Sequence, residues 1–298
     1  MESWSRQEIG RIQVDEEELN LTHTLTPGQS FRWKSDSSHR WMGVVRGRVV
    51  RIWREGAHLL FQMVPGGPDK EFIQDYFRLD TRLSLIYKEL LASDGRLKAA
   101  VERFCGLRIV RQEPEETLLS YICSAANSIP RIVQSIEALS CRYGEHIATI
   151  DNRDYFAFPK AEALANANVE EMSGVCSLGF RCANLSSVAA QLMEQSVEWL
   201  NNLRRVPYET AREELLEIRR VGLKIADCVL LFSLDKDQAV PVDTHIRQVA
   251  VKYYLPEFKQ KTLTPAVYNA IAGFFQQKFG RFAGWAQEYL FYDDLIRR

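Results

Sequence analysis

From Ile9 to Val64, apolar residues recur in short runs with strand periods, broken by polar turns. Phe31-Arg32-Trp33 precedes Asp36-Ser37-Ser38, Trp41 to Val45 ends at Arg46-Gly47-Arg48, and Val49 to Trp53 ends at Glu55-Gly56. Leu59 to Val64 ends at Pro65-Gly66-Gly67-Pro68. This spacing predicts an antiparallel meander with one aromatic and β-branched face and one face rich in Arg. The period then becomes helical: Phe72, Ile73, Tyr76, Phe77; Leu83, Leu85, Ile86, Leu90; Leu97, Val101, Phe104. Asp69 and Asp80 are the expected N-caps.

A basic connector, Arg103 to Arg111, leads to Glu113-Pro114-Glu115-Glu116, which reads as a fresh helix start, so a domain boundary is expected near 110. Beyond 115 the pattern reads helical almost throughout. Helices are expected over Thr117 to Ala125, after Pro130, around 161–171, 182–203 and 208–218, from Thr264-Pro265 onward, and over Phe282 to Leu295. The expected fold is α+β: an N-terminal antiparallel sheet domain with flanking helices over 1–110, then an all-α bundle over 111–298.

The bundle's most informative stretch runs from Leu215 to Ala250 and reads as helix, short hairpin, helix, then a Pro241 loop and a helix opened by Asp243. Gly222 is expected to give the hairpin of 209–234 a backbone geometry that side chains resist. The following helix start then offers unpaired N–H groups suited to a phosphate. Many helix pairs turn through Gly and bind nothing, so the hairpin alone leaves both readings open.

Lys224, in the first turn of an apolar helix, raises the stakes, because a lysine removed from water is a candidate nucleophile. The plain alternative is an i,i+3 pair with Asp227. Asp243 reads equally as a helix N-cap or as an anion beside developing positive charge. Cys228, one turn beyond Lys224, faces the same way.

At 298 residues, 46% hydrophobic and 26% charged, the chain has the composition of a globular protein with room for two or more packed units. No apolar run approaches the ~20 residues that span a bilayer. The first residues resemble no signal or transit peptide, so an unsecreted protein is expected. A net charge of −1 argues mildly against a polyanion partner, although a balanced total can hide a basic face. Six cysteines stand singly, without metal-ligand spacing, so neither metal nor other cofactor is expected.

Five separated segments carry a resemblance: Pro27-Gly28-Gln29-Ser30-Phe31-Arg32-Trp33, Tyr121-Ile122-Cys123-Ser124, Leu178-Gly179-Phe180-Arg181, Gly284-Trp285-Ala286-Gln287 and, most specific, Val221 to Cys228 with Asp235 to His245. In chain order they resemble the 8-oxoguanine DNA glycosylase/lyase family of the helix–hairpin–helix glycosylases. The resemblance implies a monomer acting on double-stranded DNA that contains oxidised guanine, in the nucleoid or the nucleus. It implies that Lys224 attacks C1′ of a flipped nucleotide and forms a Schiff base that permits β-elimination, while Asp243 stabilises charge at the sugar. Gly28 would offer its carbonyl to the N7–H of 8-oxoguanine, Phe291 and Cys228 would sandwich the base, and Gln287 would meet its Watson–Crick edge. Gln287 and Phe291, four apart, share a helix face. His245 would hold a phosphate, and Arg131, Phe180, Arg181, Arg219, Arg220 and Gly222 are the other expected DNA contacts.

Two departures from the family bear on function. The family hairpin usually reads Leu-Pro-Gly-Val-Gly, where this chain has Ile218-Arg219-Arg220-Val221-Gly222. After Cys-Ser the family carries an Asn run, where this chain has Ala125-Ala126-Asn127, with Ala126 at the position that helps read cytosine opposite the lesion. Weaker opposite-base discrimination is therefore expected. The competing readings are a monofunctional alkylated-base glycosylase, which Lys224 argues against, and a non-catalytic helix–hairpin–helix DNA-binding protein.

Overall fold

The structure is a computed structural model and describes residues 2–297 apart from Ser93. It opens with β1 (Gly10–Gln13), α1 (Leu21–Leu25), β2 (Trp33–Ser35), β3 (Trp41–Val45), β4 (Arg48–Glu55) and β5 (His58–Val64). The five strands form one antiparallel sheet in the order β1-β5-β4-β3-β2. Trp41 pairs with Ile52 and Ile52 with Phe61, which puts aromatic and branched side chains on one face. That face packs on Ile73, Tyr76 and Phe77 of α2 (Lys70–Tyr76) and its C-terminal end. Asp69 caps α2 as the sequence predicts, its carboxylate accepting from Phe72 N at 3.0 Å.

Helices α3 (Leu83–Leu91), α4 (Gly95–Arg103), α5 (Pro114–Cys123) and α6 (Ile129–Tyr143) follow. Asp80 does not cap α3. Glu18, far away in sequence, accepts from Leu83 N at 2.9 Å and Ser84 N at 3.3 Å. Although α3 and α4 precede residue 110, their apolar faces join the core of the helical body.

A hairpin, β6 (His146–Ile150) with β7 (Arg153–Phe156), interrupts the expected run of helices. Ala148, Ile150 and Tyr155 cover Val44, Val49 and Val64, so the sheet's second face is partly apolar rather than an open arginine face. The helical reading beyond 115 missed it because the strands are short and polar at alternate positions.

Next come α7 (Ala161–Ala165), α8 (Val169–Cys176), α9 (Arg181–Met193), α10 (Trp199–Leu203), α11 (Tyr208–Glu217), α12 (Leu223–Ser233), α13 (Thr244–Tyr253), α14 (Pro265–Phe279) and α15 (Ala283–Ile296). No helix among the described residues is long and apolar enough to cross a membrane. Every residue of α12 from Ala226 to Ser233 is buried, as is every residue of α15 from Ala283 to Leu290. A helix apolar on all sides belongs at the centre of a core.

The loop between α12 and α13 is tied to the sheet side of the molecule. Asp237 takes two hydrogen bonds from Arg78, at 2.7 and 3.0 Å, and Asp235 accepts from Arg111 Nε at 2.9 Å. Gly284 opens α15 against this loop, donating its N–H to the Asp237 carbonyl at 2.8 Å. A Cβ there would stand 2.4 Å from Leu231 Cδ1 and 2.5 Å from the Ala239 carbonyl oxygen, so only glycine permits the approach. Gly284→Ala is expected to cost about 1–3 kcal/mol through overpacking. Urea unfolding would read this as a lower midpoint at constant m-value, and an unchanged midpoint would show that α15 can back away freely.

Candidate active site

One cleft of about 1140 Å³ brings together residues from α5, α6, α11, α12, α13, α14 and α15 and from the Pro27-Gly28 turn. Its wall holds Gly28, Lys224, Cys228, Asp243, His245, Gln287 and Phe291, so seven of the residues expected from sequence meet in one place. Arg220 and Gly222 also line it, as does Ala126. Arg131, Arg219 and Phe180 are exposed and stand outside the lining, Phe180 with 65% of its surface open.

Lys224 enters from the first turn of α12. Its Nζ donates to Ser124 Oγ at 3.1 Å and sits 4.7 Å from the Tyr121 ring centroid. Asp227 is not its partner. That buried carboxylate is taken by Arg212 at 2.8 Å, Tyr268 at 2.7 Å and Tyr208 at 3.2 Å, so the i,i+3 alternative fails. Burial nonetheless pushes the Asp227 carboxyl up, against the pull of Arg212 and the two phenols.

Asp243 is the N-cap that the sequence allows, and it also faces the cleft. Its Oδ1 caps α13 by accepting from Ile246 N at 2.8 Å, and the residue lines the cleft. The cap satisfies one oxygen and fixes the direction of the carboxylate. His245, two residues on, bonds Asp294 through Nδ1 at 2.8 Å and meets the Phe291 ring edge-on at 5.2 Å. This holds both rings against α15. Burial pushes the Cys228 thiol up to about 12, with Lys224 drawing it down and Asp243 raising it further.

Gly28 adopts φ +89, and a Cβ on it would meet Ile129 Cδ1 at 2.7 Å. The turn therefore demands glycine twice over, by conformation and by space. Gln29 anchors it: its amide donates to the Thr24 and Arg108 carbonyls at 2.8 and 2.7 Å and accepts from Val110 N at 2.9 Å. The Tyr121 hydroxyl donates toward the Gly28 and Gln29 carbonyls at 3.4 and 3.3 Å, so Tyr121 joins the turn to Lys224. Gln287 is 3% exposed and its Oε1 has no hydrogen-bond partner among the described residues. A buried amide oxygen left open toward a cleft is an acceptor awaiting a ligand.

The hairpin differs from expectation. Gly222 is extended, φ −95 and ψ 175, and serves as the N-cap of α12; the left-handed residue is Arg220, φ 74. A second left-handed residue, Ala126 at φ 48, lies across the cleft. Arg181 secures it, its Nε donating to the Ala125 carbonyl at 2.5 Å and its NH2 to the Ala126 carbonyl at 2.6 Å. Arg181 thus holds a loop of the rim.

Sequence reasoning missed Tyr268 and Glu288. Glu288 is the one acid in the fully buried stretch of α15 from Ala283 to Leu290, and an acid within an apolar run is itself a signal. Burial, with the Asp243 charge added, raises its pKa to about 8. Among the described residues no group of three or more His, Cys, Asp or Glu is placed to hold a metal ion.

The comparisons with known proteins agree with one another. Residues 11–118 match the family described as 8-oxoguanine DNA glycosylase, N-terminal domain. The chain is 30% identical to the N-glycosylase/DNA lyase OGG1 of Arabidopsis thaliana over 95% of its own length and 80% of that protein. It is also 30% identical to an N-glycosylase/DNA lyase of Saccharomyces cerevisiae, over 95% of its length and 85% of that protein. The Clostridium acetobutylicum 8-oxoguanine glycosylase/lyase, solved with double-stranded DNA containing cytosine opposite 8-oxoguanine, superposes with a TM-score of 0.84 at 28% identity, covering 98% of both chains.

Arg220 carries a backbone strain that a glycine would not. Relief of about 1–2 kcal/mol is opposed by the extra freedom of glycine in the unfolded chain, about 0.5–1 kcal/mol. Arg220→Gly is therefore expected to stabilise the protein by about 0.5–1 kcal/mol, measured by chemical denaturation. A loss of stability would show that the arginine side chain contributes more than its backbone costs.

Proposed function

The chain belongs to the 8-oxoguanine DNA glycosylase family, and on that premise we propose that it excises 8-oxoguanine from duplex DNA and then cleaves the strand at the abasic site. The observation that carries this reading is the meeting of a lysine amine, a fixed carboxylate and an unpartnered amide oxygen in one cleft large enough for a flipped nucleotide.

In the proposed chemistry the Lys224 amine forms a bond to C1′ as the C1′–N9 bond breaks and its electron pair leaves with the base. Asp243, held by the α13 cap, stabilises the positive charge that develops on the sugar. The adduct opens to a Schiff base, loses a proton from C2′, and expels the 3′ phosphate by β-elimination. Selection of the base falls to the Gly28 carbonyl, which the N7–H of 8-oxoguanine can satisfy and guanine cannot. Gln287 meets the Watson–Crick edge, and Phe291 and Cys228 take the two faces. All of these groups come from one chain, which supports action as a monomer wherever DNA is housed, in a nucleoid or a nucleus.

DNA is gripped through its backbone. The N–H groups of the first turn of α12 face outward at the cleft, behind an exposed Gly222. Arg219, Arg220, Arg131 and His245 supply charge around them, and the exposed Phe180, with Arg181 behind it, fills the gap that the flipped nucleotide leaves. These basic groups explain how a chain with net charge −1 can bind a polyanion.

Borohydride reduction during incubation with an 8-oxoguanine duplex is expected to trap a covalent protein–DNA complex. Lys224→Gln should lose the complex while retaining DNA binding, and a wild-type protein that traps no damaged duplex would overturn the lyase assignment. Ala125 and Ala126 leave few polar groups for the opposite base, so single-turnover excision rates opposite cytosine and the other three bases are expected within about tenfold, or about 1.4 kcal/mol. A strict cytosine requirement would contradict this.

A further inference from the structure

Glu288 follows Gln287 on α15, is 2% exposed, and lines the same cleft as Lys224 and Asp243. Its Oε1 is buried with no hydrogen-bond partner among the described residues. Nothing in the binding scheme above uses it. The titratable groups around it come from three other elements. Asp243, at the start of α13, acts on Glu288 directly, and Glu288 in turn acts on Tyr121 of α5 and on Cys228 of α12, which Lys224 influences in the opposite sense. Farther along α13, His245 is already engaged by Asp294.

Geometry tells the two carboxyls apart. Asp243 already receives the Ile246 N–H at the start of a helix. Glu288 is enclosed and has a buried oxygen with no donor among the described residues. Burial, with the Asp243 charge added, raises it to about 8, so it is a carboxylic acid with a proton to give.

We propose that Glu288 is a further catalytic residue, the acid that protonates the departing base. As the C1′–N9 bond breaks, its electron pair passes to the purine, the Lys224 amine bonds to C1′, and the Glu288 proton moves to a purine nitrogen. The base leaves neutral, Glu288 becomes a carboxylate, and the positive charge now on Nζ balances it within the same pocket. This inference rests on the glycosylase reading and adds to it the source of the proton.

The test is single-turnover excision of 8-oxoguanine across the neutral and alkaline range, alongside borohydride trapping on a preformed abasic duplex, where no base remains to be protonated. Wild-type excision is expected to fall as pH rises through about 8. Glu288→Gln, which keeps shape and a hydrogen-bond donor but has no transferable proton, is expected to be about 100-fold slower in excision and to lack that alkaline fall. Its trapping on abasic DNA should stay within about twofold of wild type, which also shows that it is folded. Wild-type excision rates in Glu288→Gln, an alkaline fall that survives the substitution, or equal losses on both duplexes would each overturn the proposal. A wild-type protein that excises nothing yet traps abasic DNA overturns the glycosylase reading instead.

Discussion

The relative placement of Lys224 and Asp243 depends on one buried carboxylate, Asp227. It sits a turn from Lys224 on α12 and accepts from the Tyr268 hydroxyl at 2.7 Å. The same hydroxyl receives the Val242 N–H at 3.1 Å, immediately before Asp243. Lys224 and Asp243 are thereby indexed to each other through two hydrogen bonds, although nineteen positions separate them in the chain. Arg212 keeps the arrangement affordable by pairing with Asp227, since a buried charge stripped of its partner costs about 3–5 kcal/mol. Tyr268 bonds neither Lys224 nor Asp243; in the proposed chemistry it is a positioning residue.

From the other side, residues just after α2 and in the connector before α5 hold the far end of the same loop. Arg78 grips Asp237, Arg111 grips Asp235, and the connector sends Gln112 N to the Phe232 carbonyl at 2.9 Å. That connector also carries Val110, whose N–H bonds Gln29 behind the Gly28 turn. One stretch of chain therefore ties the Gly28 turn, helix α12 and the loop before Asp243 together.

Much of this was legible before the fold was known. Asp69 and Asp243 announced their caps, the Pro-Gly turn announced itself, and the apolar periods found the sheet and most helices. What failed were the short β6–β7 hairpin, the geometry of the α11–α12 turn, and contacts between segments far apart in sequence. Asp80 read as the cap of α3, whereas Glu18 crosses from another element to do it. Gly222 read as the strained hairpin residue because glycine tolerates positive φ, yet Arg220 takes that conformation. Local propensity gave way to the geometry that the two flanking helices impose. Tyr268 and Glu288 could not be placed because nothing within their own helices says what lies opposite.

Four departures from ordinary local rules fall around the cleft. Arg220 and Ala126 adopt left-handed backbone without glycine, and Gln287 and Glu288 each bury an oxygen that no described residue satisfies. All four line the same space. Each is a cost the protein bears in its free state, and none improves the packing of the core. A flipped nucleotide could satisfy the two oxygens, and a phosphate backbone could draw on the arginine that the strained hairpin presents. These four costs to the free protein thus stand where DNA would relieve them, which is how a site comes to hold a reacting base more tightly than its resting neighbours.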